Sequence, residues 1–149
     1  MKLRQVEEVI GDHAGKAHTV LTYCLIVNRM MDAAKQPGFD RTNWAPLGEL
    51  LDLDNFSRIG NFKETMNWEQ YLDFLTPWAM SSEWECSFKR ITEQGNTVFL
   101  ELEERAKVGD FSNVVNSMSV YEFNSAGKIY HVDVYLQMES LSPEMMSGV

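Results

Sequence analysis

The chain is short of basic residues, of cysteine and of long apolar runs. Its 149 residues carry 13 lysines and arginines against 22 acidic side chains, a formal net charge of −9. Nowhere do Lys and Arg cluster as a phosphate-tracking groove requires, which argues against nucleic acid and, equally, against an anionic membrane surface. The acidity itself serves solubility. The longest stretch without a polar group is CLIV, Cys24–Val27, far below the roughly 20 residues that span a bilayer. The opening MKLRQVEEVIGDH is amphipathic and lacks the apolar core of a secretory signal, so a cytoplasmic protein is expected. The two cysteines, Cys24 and Cys86, lie in apolar surroundings with no metal or redox spacing, and read as reduced core thiols.

Cofactor and metal motifs are missing too. There is no CxxC, HxxxH or HExxH, no glycine-rich phosphate loop and no GxSxG elbow. Asp52 and Asp54 begin a calcium-loop pattern that fails where Ser57 replaces its glycine. No metal and no cofactor are expected.

What is present is enough apolar material, 44% of residues, to build one compact domain. We place it over residues 1–138, with ESLSPEMMSGV (139–149) as a disordered tail. Val6, Ile10, Ala14, Ala17, Leu21, Cys24 and Met31 form a helical stripe, predicting one long helix over 4–35 that GlnProGly ends at 36–38. A short helix follows at Ala45–Leu51, with Pro46 in its first turn. Asn67 and Gln70 make a capping box opening a helix that stops near Pro77. From Trp84 onward, SFKRIT, TVFLELEERAKV, VVNSMSVYEF and KIYHVDVYLQ read as strands joined by glycine-containing turns. Helices first and antiparallel strands after predict an α+β fold, with helices on one face of a strongly curved sheet.

Period-two alternation sorts the strand faces. The inward sets are Tyr130, Val132, Val134 and Leu136; Val98, Leu100, Leu102 and Glu104; and Ser117, Ser119, Tyr121 and Phe123. Phe99, Met118, Val120, His131, Asp133 and Tyr135 face outward. An exposed sheet face holding such apolar residues suggests a partner, preferably a second copy of the chain, although scattered surface apolars explain it too.

LTYCLIVN, LGELLDLDNFSRI and SVYEFNSAGKIYHVDVYLQ together resemble the nuclear transport factor-like α+β cone, the superfamily of ketosteroid isomerases, SnoaL-like polyketide cyclases and scytalone dehydratase. The resemblance covers roughly residues 5–138 and implies a cone with an internal pocket. It implies that Tyr23 stands where the isomerases keep an enolate-directed tyrosine, and Ser119 where they keep a protonated aspartic acid. Asn28 stands where the dehydratase keeps a catalytic aspartate. Arg58, or Ser57, lies near the isomerase base, Trp84 near one dehydratase histidine, and Arg105 or Ala106 near the other. Neither the isomerase base nor the dehydratase histidines are carboxylate or imidazole here.

Each candidate has a chemical and a plain structural reading. Tyr23 is an oxyanion donor or a core tyrosine bonded to backbone or water. Asn28 cannot take a proton, so it orients substrate or ends a helix. Glu104 is the carboxylate for proton abstraction, since apolar surroundings make a carboxylate more basic, or it sits at the sheet rim. Arg58 binds a substrate carboxylate, phenolate or carbonyl, or pairs with Asp52 or Asp54. His13, His18 and His131 read as surface residues. Phe56, Trp84, Phe88, Leu102, Tyr121 and Val134 are the expected substrate wall, with Trp44, Phe62 and Trp68 as further aromatic candidates. Four tryptophans and nine methionines suit an adaptable apolar cavity for an aromatic or polycyclic molecule. The expected function is a cofactor-independent lyase, eliminating water or a fragment such as formaldehyde, or an isomerase. The alternative is a non-catalytic binding or assembly module on the same cone.

Overall fold

The computed structural model describes residues 3–139, so the tail expected at 139–149 lies almost wholly outside the described residues. The helices are α1 (Val6–Val9), α2 (Gly15–Ala33), α3 (Ala45–Gly48) and α4 (Trp68–Ser81). The strands are β1 (Ser57–Ile59), β2 (Thr65–Met66), β3 (Glu83–Gln94), β4 (Thr97–Val108), β5 (Phe111–Phe123) and β6 (Ile129–Met138). They form one open sheet, ordered β2-β1-β6-β5-β4-β3, in which only β1 and β6 run parallel. The helices cover its concave face, giving an α+β cone. No helix among the described residues is long and apolar enough to cross a membrane.

The curvature has a local cause. Register slips at Phe88/Arg90 on β3 and at Glu122/Phe123 opposite β6 insert extra residues into long strands, and such bulges bend a sheet. The second slip corrects the predicted face of Tyr130. Ile129 is buried in its place, and Tyr130 turns outward at 37% exposure. Beyond the slip the expected alternation holds, with Val132 buried and Val134 packed against the core.

The predicted helix over 4–35 is broken. After α1 a single 3-10 turn, Ile10–Asp12, leads into extended backbone at His13 and Ala14. Gly15 then takes φ +63°, a left-handed conformation that a glycine adopts without a side-chain clash. The apolar stripe crosses this corner because both segments bury residues against the same sheet. Helix α4 opens on the expected Asn67–Gln70 box, with both reciprocal bonds at 2.9 Å. It runs through Pro77 to Ser81, however. Pro77 is exposed, while Ala79, two residues on, is fully buried and holds the last turn to the core.

One cation ties the far ends of α2 and α4. Lys35 Nζ donates to the carbonyls of Met31 (3.0 Å), Ala79 (2.6 Å) and Ser82 (2.7 Å). Helix ends leave carbonyls without helical donors, and an ammonium is well matched to them.

Candidate functional site

Between α2, α4 and the concave sheet lies a cavity of about 210 Å³. Its polar lining comes from Tyr23 on α2, Tyr71 on α4, Arg58 on β1, Glu104 on β4, and Ser119 and Tyr121 on β5. Period-two strands deliver the sheet residues: Leu102 and Glu104 share the inward face of β4, and Ser119 and Tyr121 that of β5. Val132, Val134 and Leu136 line the cavity from β6, and Phe74, Trp78 and Trp84 close it with aromatic surface.

Two hydroxyls meet at its base. Tyr23 Oη and Tyr71 Oη are 2.7 Å apart, and both residues are buried. Burial, together with neighbouring Tyr71 and Tyr121, pushes the Tyr23 phenol well above its ordinary range, so it stays protonated. Burial raises Tyr121 likewise. The Tyr121 ring meets Tyr23 edge-on at 5.4 Å. Phe56 stacks on Tyr71 at 5.9 Å and holds it from outside the cavity.

At the other side Trp84 Nε1 donates to Glu104 Oε1 at 2.8 Å. That bond fixes the carboxylate and leaves Oε2 without a hydrogen bond among the described residues. Arg58 lies with its guanidinium carbon 5.1 Å from the Tyr71 ring centre and 5.8 Å from that of Phe74. The alternative pairing with Asp52 or Asp54 does not form. Asp52 instead accepts from Asn55 (3.0 Å) and Asn124 (3.1 Å).

The structure thus brings Tyr23, Arg58, Trp84, Leu102, Glu104, Ser119, Tyr121 and Val134 into one cavity. It does not bring three other expected residues there. Asn28 lies in a separate depression with Gln5, Glu7 and Glu85. Five residues along an α-helix turn the side chain by about 140°, so Tyr23 and Asn28 face different ways. Phe88 sits at the bulge of β3 beside His13, where Arg4 covers its backbone, and Phe56 packs behind Tyr71. Among the other aromatic candidates, Trp44 is wholly buried elsewhere, Phe62 is 83% exposed, and Trp68 packs on Phe56. Sequence reasoning missed Tyr71, Phe74 and Trp78. The signal was available: Tyr71, Phe74, Leu75 and Trp78 recur at three and four along α4, one face of a capped helix.

Among the described residues no three His, Cys, Asp or Glu side chains converge as a metal site. No protein-family model matches the sequence, and no curated protein matches it. Solved structures do. A protein described as a SnoaL-like polyketide cyclase from Shewanella putrefaciens CN-32 aligns over 99% of this chain and 94% of its own, with TM-score 0.65 and 10% identity. SalBIII, an epoxide hydrolase/cyclase-like enzyme of pyran ring formation in salinomycin, aligns over 82% and 90% (TM-score 0.61, 14% identity). An NTF2-like protein of unknown function from Cytophaga hutchinsonii ATCC 33406 aligns over 84% and 92% (TM-score 0.59, 16% identity). At such identities the likeness is one of architecture, and the chain has the NTF2-like, SnoaL-like cone fold.

Proposed function

We propose that the protein is a cofactor-independent acid–base enzyme, a lyase or isomerase, acting on a small aromatic substrate inside the cone. The observation that carries this reading is the buried Tyr23–Tyr71 hydroxyl pair facing a cavity that also holds Glu104. Two hydroxyls have two protons, and the bond between them uses one. The other is a donor for a developing oxyanion, in surroundings where such a bond is strong. Glu104 Oε2 is the proton acceptor.

In a dehydration, Glu104 takes the proton from a carbon next to a carbonyl, and the carbonyl oxygen gathers charge against the tyrosine donor. The enolate then collapses, the β-hydroxyl leaves, and Glu104 returns its proton to form water. Loss of formaldehyde follows the same logic. Glu104 takes the proton of a hydroxymethyl group, the carbon–carbon bond breaks, and the remaining carbon is reprotonated. The cavity, about 210 Å³, falls below the roughly 300–1,000 Å³ typical of drug-sized ligands. That favours one or two rings over a steroid-sized skeleton.

The test is a turnover screen of hydroxylated aromatic carbonyl and diaryl compounds. With an activity in hand, Tyr23→Phe should lower kcat by about 10²–10³-fold, and Glu104→Gln should lower it by about 10²–10⁴-fold. An unchanged rate in Tyr23→Phe would remove the oxyanion role. SalBIII and the cyclase-like neighbours lend the reading general support, since they use this architecture. The same proposal pairs two copies of the chain through the outer sheet face.

A further inference from the structure

Arg58 is the one arginine that lines the cavity. Elsewhere, Arg41 holds Glu69 and Asp73, Arg90 holds Glu101, and Arg105 holds Glu103. Among the described residues Arg58 forms no ion pair and donates no hydrogen bond, although it is half-buried. Its contacts are the faces of Tyr71 and Phe74. Ring contacts of this kind engage the face of the guanidinium, whereas its five N–H donors lie in its plane and have no protein partner among the described residues. A cation partly withdrawn from water and without an anionic partner is well placed to receive one.

Nothing in the cavity supplies that anion. Tyr23 and Tyr121 keep their protons because burial raises both phenols. Burial opposes the charge on Arg58, but a guanidinium holds its proton under all ordinary conditions and stays cationic. Glu104, the one carboxylate lining the cavity, is engaged by Trp84. It is also set apart by register. Arg58 aligns with Val132, Tyr121 and Val98 across the sheet, and Glu104 lies six residues farther along β4.

We propose that the ligand of this cavity is an aromatic oxyanion, a carboxylate or phenolate on a one- or two-ring skeleton, and that Arg58 selects it. The rings lie against Phe74, Trp78 and Trp84. The planar fork of Arg58 holds the oxyanion, and the atom that exchanges a proton faces Glu104. This deepens the acid–base reading and rests on the same cavity being the substrate site, but it concerns binding alone.

The test is therefore a binding measurement that needs no turnover. Trp78 and Trp84 line the cavity, so tryptophan fluorescence reports occupancy. The probes are 2-naphthoate, its neutral methyl ester, 2-naphthol and 2-methoxynaphthalene. In the wild type, 2-naphthoate should bind about tenfold or more tightly than its ester, the size of one charge-assisted hydrogen bond. If phenolate is the natural form, 2-naphthol should instead bind as its anion near neutral pH, seen in its absorption, and outcompete 2-methoxynaphthalene. In Arg58→Gln the preference should vanish while the neutral probes bind as before, and Arg58→Lys should keep part of it. The wild-type comparison stands even if Arg58→Gln fails to fold. Equal binding of acids and neutral partners, no saturable binding of any probe, or a preference surviving Arg58→Gln would overturn the proposal. A charge preference without any turnover would leave it standing and remove the lyase reading instead.

Discussion

At the scale of the residue, the cavity is governed by side chains that hold their protons. Tyr23, Tyr121 and Cys24 all sit above their ordinary values. Burial is the main cause for the phenols, and the hydrogen bond shared with Cys86, followed by burial, for the thiol. The unfolded chain releases these protons at about 10 for a phenol and about 8.5 for a thiol. The folded chain keeps them to higher pH. Their contribution to stability is therefore complete below those values and is lost as pH rises past them. Urea midpoints should be insensitive to these groups near neutrality and fall as pH climbs beyond about 9; a midpoint that rises there would contradict the burial. Cys24 and Cys86, with Sγ atoms 3.5 Å apart in the core, should be silent to a thiol reagent at neutral pH until the protein is unfolded, then react together. At this scale Tyr23 was legible in the sequence, because a polar group interrupts an apolar helical run. Tyr71 was legible as part of the inward face of α4, but its pairing with Tyr23 was not, because that depends on a partner 48 residues away. Asn28 was placed by family position, whereas its five-residue spacing from Tyr23 already turns it to another side of α2, where the structure has it.

The element that matters most is the shortest one that carries chemistry. Strand β1 has three residues, and its middle one is Arg58. Backbone pairing with β6 spans Ser57–Ile59 against His131–Asp133. A side-chain chain on the outer face reinforces it: Ser57 Oγ lies 2.6 Å from His131 Nδ1, and His131 Nε2 lies 2.9 Å from Asp133 Oδ1. Breaking it with Ser57→Ala or His131→Ala should cost about 1 kcal/mol or somewhat more. The loosened strand should show first as weaker binding of an anionic probe and faster amide exchange at residues 57–59. An unchanged affinity would mean that β1 is held by its backbone alone. Among elements, the four long strands and the capped start of α4 were legible from alternation and from Asn67 with Gln70. The corner at Gly15, the passage of α4 through Pro77 and the two register slips were not. Each is settled by packing against the sheet, which local sequence does not report.

The order of elements foretold the whole molecule better than any single boundary did. Helices followed by long amphipathic strands have few ways to bury both, and a sheet bent over its helices is one. What the order left open is the other side of the sheet. There Tyr135 is 59% and Val114 38% exposed. Phe99 and Val120 stand opposite one another, as do Met118 and Tyr135. The proposed pairing of two copies across this face predicts a dimer mass by light scattering at micromolar concentration, with Tyr135→Glu shifting it to the monomer. A monomeric wild type would reassign these side chains to ordinary surface.

Lys35 gives the molecule a long lever. It clasps the carbonyl ends of α2 and α4, and the same two helices separately carry Tyr23 and Tyr71. The clasp lies just past the end of α2, about 18 Å along its axis from Tyr23, so the two helices are tied once at their ends and once at the cavity. Acylation of that one amine would remove its charge and all but one of its donors. Among the described residues the Tyr23–Tyr71 bond would then be the one hydrogen bond left intact between α2 and α4.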